Sequence, residues 1–274
     1  MVLEKVPYYP QQDHYCAVAS LKSVYEYWGK EISYTDLIKS VYVPKKRGAF
    51  GVELAADARR RGFMPFVVKA DNQKIENLLK NGFAPIVLLN LSFEFLPVWH
   101  YGVVYGFDKQ EGVFLLRSRK AEEKIKFGAF AKMHSRADNW TIVISPPSRV
   151  PPLKKDLLLK GLISLEKSGR YETIKEFFRY NPGLKKEELF RFSYANALFY
   201  SKDFNEAAKE YAKIDSPFAM NNLSLALAKE GRCEKAVETL RKASVRYRGY
   251  EKLFEKTQIE ISKECQNYLQ KGKN

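Results

Sequence analysis

The segment SPPSRVPP, residues 145–152, places four prolines within eight residues of a 274-residue chain. Proline fixes φ and lacks a backbone N–H, so such a segment ends any regular element and is typical of a linker. Before it the apolar residues follow both helical and strand periods, and after it they follow the helical period alone. The sequence therefore predicts two domains, 1–147 and 155–274, joined by a Pro-rich linker, 148–154.

The first domain is predicted to begin with helices. Apolar residues follow a helical spacing from Ala17 to Trp28, and Gly29 provides the stop. Asp13 precedes this helix and is its expected N-cap. Two further short helices are expected, one after Thr35 and one over residues 52–62.

Strand-like runs follow these helices. Helices followed by a mostly antiparallel meander are typical of an α+β fold. The expected strands cover residues 63–68, 84–90, 99–107, 112–118 and 139–145.

The second domain contains a helical pattern that occurs three times, at intervals of 33 and 29 residues. An aromatic residue or Cys is followed three positions later by a small or apolar residue, and four further on by a large one. This pattern resembles tetratricopeptide repeats, which are paired helices whose stacked array presents a surface to a protein partner. An unrelated helical bundle is the alternative. The recurring residues are Tyr171, Ile174 and Phe178, then Phe204, Ala207 and Tyr211, then Cys233, Ala236 and Leu240.

The net charge of +15 is spread evenly along the chain. Lys and Arg outnumber Asp and Glu by 22 to 15 up to Arg149 and by 25 to 17 beyond it. No long basic arm interleaved with aromatic residues occurs, so no nucleic-acid partner is expected. No apolar run approaches the ~20 residues of a membrane span. The chain is expected to be either cytoplasmic or exported by a signal that lies outside this sequence.

Three cysteines cannot build a disulfide framework, and none has a metal-ligand spacing to the three histidines. Neither a metal nor a cofactor is therefore expected. Cys233 and Cys265 could pair in an oxidising compartment, which would leave Cys16 as the free thiol. In the repeat pattern Cys233 occupies a packing position.

Cys16 is expected in the first turn of its helix, where free N–H groups and the helix dipole favour the thiolate. A thiolate is the attacking form of cysteine, and it needs a base. His100 is the best candidate, because it opens a strand whose glycines leave room on one face. His14 is expected to point away from the thiol, and His134 to lie on a surface helix.

A third residue should orient the imidazole of His100. Asp108 lies about 26 Å further along an extended strand and is excluded. The segment DKQEG is typical of a hairpin turn, which would bring residues 117–119 back opposite His100. Ser118 is the only acceptor there, and Asn139 on another strand is an outside candidate. Gln11 or Gln12 could hold an oxyanion together with the backbone N–H of Cys16.

The motifs PQQDHYCAVASL, LPVWHYGVVYGFD and LLRS resemble the papain-like cysteine peptidases that process bacteriocin leaders after a double glycine. They are most similar to a stand-alone bacterial subgroup with a C-terminal tetratricopeptide extension. The resemblance covers residues 5–147 and the helical tail. It implies a papain-like α+β fold, and an exported protein, often a lipoprotein.

The resemblance implies roles for four residues. Cys16 matches the nucleophile, His100 the general base and Gln11 the oxyanion glutamine, with Gln12 as a register alternative. Ser118 stands where the family has Asp, and Ala17 stands where it has Gly. Two hypotheses follow: a thiol peptidase whose repeats recruit a substrate protein, and a non-catalytic protein that binds peptides or proteins on the same scaffold.

Overall fold

The computed structural model describes residues 1–11 and 14–271, with side chains as far as residue 266. It divides into two compact units, Met1–Gly161 and a second that begins at Leu162. The first unit thus includes residues 148–154, so the predicted domain limits stay predictions. Within the described residues, no helix is both long and apolar enough for a bilayer.

The first unit contains a sheet of six strands in the spatial order β1-β6-β2-β3-β4-β5. Every neighbouring pair is antiparallel, which confirms the predicted mixture of helices with an antiparallel sheet. The five predicted strands are all present. The sixth, β5, was not predicted, because its four residues EKIK bury only one apolar side chain. The strands are β1 (Met64–Lys69), β2 (Ile86–Asn90), β3 (Trp99–Asp108), β4 (Val113–Arg117), β5 (Glu123–Lys126) and β6 (Trp140–Ser145).

Helices cover both faces of this sheet. Side chains alternate between faces along a strand. In β4, Val113 and Leu115 join the core formed with the first helices, whereas the ring of Phe114 lies 4.7 Å from that of Phe130 on the opposite side. The helices of this unit are α1 (Cys16–Tyr27), α2 (Tyr34–Val41), α3 (Gly51–Arg60), α4 (Asn72–Lys80), α5 (Phe127–Ser135) and the start of α6 (Lys155–Lys167).

Helix α1 begins at Cys16, as predicted from the apolar spacing. Its N-cap position is held by Tyr15, which makes no side-chain capping bond. The predicted N-cap, Asp13, lies outside the described residues. Gly29 ends the helix with a φ of 79°, which suits glycine because it lacks a Cβ.

The hairpin of β3 and β4 contains a bulge between Val104 and Gly106, which shifts the register by one residue. Val103 pairs with Arg117 on one side of the bulge. The N-terminal residues of the chain pass close to Gly106, where a Cβ would lie 2.8 Å from the carbonyl oxygen of Met1.

The second unit is helical, and the predicted repeat positions fall at equivalent places in it. One helix begins at each of the residues Tyr171, Phe204 and Cys233. The six small, apolar and large repeat residues that follow are all buried. The helices beyond α6 are α7 (Tyr171–Tyr180), α8 (Glu188–Tyr200), α9 (Phe204–Tyr211), α10 (Pro217–Lys229), α11 (Cys233–Arg246) and α12 (Glu251–Lys271).

A residue with positive φ stands two positions before each of these helix starts. The three are Gly169 at 68°, Lys202 at 68° and Gly231 at 77°. The turns therefore repeat along with the helices. Assignment of the array to tetratricopeptide repeats remains a prediction.

Cys233 and Cys265 form a disulfide between α11 and α12, with their Cα atoms 5.8 Å apart. Cys233 is thus a cross-link and not merely the packing residue that the repeat pattern indicated. Cys16 is the free cysteine.

Candidate active site

A cavity of about 720 Å³ lies where the N-terminus of α1 meets the start of β3. Cys16 and His100 both line it, so the structure brings the two main predicted residues to one site. The remaining wall includes the aromatic residues Phe50, Trp99, Tyr101 and Trp140, and Lys46 and Arg47 add positive charge.

Cys16 is half-buried, and burial raises the pKa of its thiol. The backbone N–H groups of Tyr101, Ala17 and Cys16 itself act in the opposite direction, but burial prevails. The expectation of a thiolate favoured by the helix N-terminus is therefore wrong for this structure, where Cys16 is a thiol at neutral pH. The contact with the backbone of Tyr101 places the sulfur beside the strand residue that follows His100.

His100 lies in β3 opposite Leu89 of β2. Burial lowers its pKa to about 4, and the nearby positive charge of Arg119 contributes to the same effect. Glu123 acts in the opposite direction. The imidazole is consequently neutral at pH 7. The site thus pairs a thiol with a neutral imidazole, and not a thiolate with an imidazolium.

Ser118 is the residue that holds the imidazole. Its Oγ lies 2.9 Å from Nε2 of His100, and only 2% of the residue is exposed. Ser118 reaches His100 diagonally, because its side chain lies over Gly102, where a Cβ would be 3.3 Å from the hydroxyl oxygen. Asn139 is not among the residues that line the cavity.

The other two histidines differ from their predicted positions. His14 lines the same cavity as Cys16, although it was expected to point away. His134 is 1% exposed and not on the surface; its Nε2 lies 3.1 Å from the carbonyl oxygen of Trp140 and 3.2 Å from the hydroxyl of Thr141. The ring of Phe130, one turn earlier on α5, lies 5.1 Å from the ring of His134. His134 therefore ties α5 to β6.

Gln11 is half-buried, and it is not among the residues that line the cavity. Its Oε1 is buried and has no hydrogen-bond partner in the described part of the chain. The alternative, Gln12, lies outside the described residues.

The profile of a known family, described as the Peptidase_C39 like family, matches residues 3–140, just over half of the chain. The chain belongs to this family. The match supports a peptidase-type function for the first unit. Comparison with curated proteins finds no match.

Solved structures of C39 peptidase domains are similar to part of this chain. The peptidase domain of Streptococcus ComA, a bi-functional ABC transporter involved in quorum sensing, is 22% identical, with a TM-score of 0.42 over 52% of this chain and 98% of the other. A double glycine motif protease from an AMS/PCAT transporter, solved with a leader peptide, is 21% identical, with a TM-score of 0.43 over 52% and 92%. The C39 like domain of a toxin secretion ATP-binding protein from Vibrio parahaemolyticus is 14% identical, with a TM-score of 0.38 over 50% and 98%.

One charged residue near the imidazole of this C39-like domain, Glu123, was missed in the sequence, whereas Arg119 was among the residues expected opposite His100. Arg119 and Glu123 form an ion pair beside Ser118, and both affect the pKa of His100. The spacing of four residues between Arg119 and Glu123 did not indicate an ion pair, because it is the turn between β4 and β5 that brings the two side chains together. The polar alternation of EKIK was the one available indication that Glu123 lies on a strand.

Proposed function

We propose that this C39-like protein is a thiol peptidase that cleaves peptide bonds with Cys16 as nucleophile and His100 as general base. The observation that carries the proposal is the cavity that Cys16 and His100 both line, together with the contact of Ser118 with Nε2 of the imidazole. Because Nε2 faces Ser118, Nδ1 is the nitrogen left to serve the thiol.

The neutral state of both groups determines the order of proton transfer. As the sulfur attacks the peptide carbonyl carbon, the thiol proton moves to Nδ1 of His100. The tetrahedral intermediate collapses when the imidazolium gives this proton to the leaving amine. Water, deprotonated by Nδ1, then attacks the acyl-enzyme, releases the acid and restores the thiol.

The oxyanion of the intermediate needs hydrogen-bond donors. The backbone N–H of Cys16, at the free N-terminus of α1, is the first. We assign the second to the side-chain amide of Gln11, whose buried Oε1 has no hydrogen-bond partner in the described part of the chain. Its side chain has to turn toward the cavity when substrate binds.

The surroundings of the cavity favour an extended peptide with apolar and acidic side chains. Trp99 lines the cavity, and the adjoining segment exposes several apolar residues, among them Phe95 at 84%. Large apolar side chains exposed together mark a binding surface. Lys46 and Arg47 on the cavity wall complement a carboxylate.

We assign recruitment of a protein partner to the second unit, as a tetratricopeptide-like array. Support comes from the threefold recurrence of buried positions and of positive-φ turns at Gly169, Lys202 and Gly231. Stacked helix pairs of this kind present an extended surface for a protein.

A peptide-library cleavage assay tests the peptidase function. Wild-type protein is expected to cleave a subset of peptides, and Cys16→Ala and His100→Ala to cleave none. His14→Ala is the matched control, because His14 lines the same cavity and has no role in the proposed chemistry. Cleavage that survives in His100→Ala and is lost in His14→Ala would assign the base to His14 instead.

A second candidate function is peptide binding without catalysis. It is favoured by the raised pKa of the Cys16 thiol and by a serine where the family has a carboxylate. An activity-based thiol probe such as a peptide aldehyde separates the two candidates. Binding of peptides in the absence of both cleavage and covalent capture at Cys16 would favour the second.

A further inference from the structure

Ser118 leaves the direction of its hydrogen bond to His100 undecided. A hydroxyl both donates and accepts, whereas the aspartate of a conventional triad only accepts. If Ser118 donates its proton to Nε2, the imidazole carries its own proton on Nδ1 and cannot take one from the thiol. If Ser118 accepts from Nε2–H, Nδ1 has a free lone pair for the thiol proton. If the hydroxyl proton of Ser118 has another acceptor, the hydroxyl oxygen is left to accept from Nε2–H, and the second of these two states is favoured.

We propose that Glu123 is that acceptor, and that it is a positioning residue that holds His100 in the Nε2–H tautomer through the hydroxyl of Ser118. This inference rests on the proposed role of His100 as the base. It extends the site to four residues, each of which interacts with the next: Cys16, His100, Ser118 and Glu123.

The sheet register places Glu123 within reach of Ser118. Glu123 in β5 pairs with Leu116 in β4. The side chains of Leu116 and Ser118 both lie against Gly102 and therefore share one face of the sheet. Glu123 joins them on that face, because it pairs with Leu116.

Glu123 has one oxygen available. Its Oε1 forms the ion pair with Arg119, while Oε2 is buried and has no hydrogen-bond partner in the described part of the chain. Besides His100, the hydroxyl of Ser118 interacts with the carboxyl of Glu123, and at 2% exposure Ser118 has little access to water. A buried hydroxyl proton beside an unpartnered carboxylate oxygen is expected to bond to it.

The ionisation state of Glu123 agrees with this role. Burial alone would raise the pKa of its carboxyl, but Arg119 and the hydroxyl of Ser118 together bring it below the usual value. Glu123 is thus a carboxylate at neutral pH and can only accept. Arg119 both neutralises its charge and keeps it in place.

The ring-nitrogen NMR signals of the histidines, recorded at pH 7 on ¹⁵N-histidine-labelled full-length protein without substrate, test the proposal. The signals of His100 are identified by their absence in His100→Gln. Wild type is expected to show the Nε2–H tautomer of His100. Glu123→Gln and Ser118→Ala are each expected to move the population toward Nδ1–H. Glu122→Gln is the matched control, since Glu122 is the exposed neighbour and is expected to leave the spectrum unchanged.

Activity supplies the second readout. Glu123→Gln and Ser118→Ala should each lower kcat/KM by about 10- to 100-fold, and the double variant should be no worse than the poorer single one, because both break the same chain of contacts. Ser118→Asp should restore activity in the Glu123→Gln background. An unchanged His100 tautomer in Glu123→Gln would overturn the inference. A tautomer change in a protein that cleaves no peptide would instead retain it and reject the proposed peptidase function.

Discussion

Gly51 lies against the indole of Trp140: a Cβ at position 51 would stand 2.7 Å from Cε2 and closer still to Cζ2. Both residues line the cavity that holds Cys16. The first residue of α3 is a glycine because the indole of Trp140 occupies the space that a side chain would need. Trp140 contacts Gly51 and also the ring of Tyr101.

Gly51→Ala should therefore displace Trp140 and destabilise the first unit by about 1–3 kcal/mol. The chain has three tryptophans, Trp28, Trp99 and Trp140, all in the first unit, so urea unfolding followed by tryptophan fluorescence measures that unit alone. Gly128→Ala is the control, because Gly128 on α5 has no atom within 4 Å of its missing Cβ. Equal stability of the two variants would contradict the packing argument.

The reactivity of Cys16 should be that of a buried thiol. Because burial raises the pKa of the thiol, the thiolate fraction at pH 7 is below that of a free cysteine, whose pKa is about 8.5. Alkylation by iodoacetamide should be slower than that of a small-molecule thiol at pH 7 and should still be rising at pH 9. A rate that is flat from pH 5 to 8 would indicate a stable ion pair with His100 and contradict the expectation.

Acid should destabilise the first unit through His100. Its pKa is about 4 in the folded protein and ~6.5 in an unfolded chain. Between these values the unfolded imidazole is protonated and the folded one is not, so unfolding takes up a proton. Stability is then lost as the pH falls from ~6.5 to about 4, by about 1–3 kcal/mol.

Comparison of His100→Gln with wild type isolates this effect. The variant should lose less stability than wild type between pH 7 and pH 4.5, with tryptophan fluorescence as the probe. An identical pH dependence in His100→Gln would mean that the imidazole is protonated in the folded state.

Removal of the disulfide should weaken the second unit. Cys233 and Cys265 are 32 residues apart, and closing a loop of that length is worth about 3–4 kcal/mol in the chain-entropy account. Cys265→Ser should lower the midpoint of unfolding followed by helical circular dichroism and leave the tryptophan transition unchanged. Cys16→Ser should leave the circular-dichroism transition of the helices as in wild type.

Lys202 is a site where substitution should stabilise the protein. It adopts a left-handed φ of 68° at a turn where the equivalent residues are Gly169 and Gly231. A side chain in this conformation costs about 1–2 kcal/mol of folding stability relative to glycine. Substitution by glycine recovers only part of that energy, because glycine has more conformational freedom in the unfolded chain. Lys202→Gly should therefore raise the stability of the second unit by about 0.5–1 kcal/mol.

Gly169→Ala provides the reverse experiment. No atom lies within 4 Å of the missing Cβ of Gly169, so its left-handed φ is the source of the expected loss. A stabilising effect of Gly169→Ala, measured by helical circular dichroism, would show that the turn tolerates a side chain.

Local patterns in the sequence were sufficient to predict most elements. The helix that starts at Cys16 and the five longer strands follow from apolar spacing over a few turns or strand residues. The recurring repeat positions Tyr171, Phe204 and Cys233 fall at helix starts. The motifs around Cys16 and His100 were also sufficient to place the first unit in its family.

The tertiary structure decided the chemistry within the site. The bulge after Val104 sets which residue of β4 meets His100, and a shift of one residue would have turned Ser118 to the other face. The turn from β4 to β5 brings Glu123 beside Ser118, and the fold carries His14 into the cavity and His134 into the core. The sequence alone determined most elements, because that information is local, and the exceptions include β5 and α4. Burial reverses the expected ionisation of Cys16 and sets that of His100. Because burial depends on every segment packed around a group, only the tertiary structure could decide these two ionisation states.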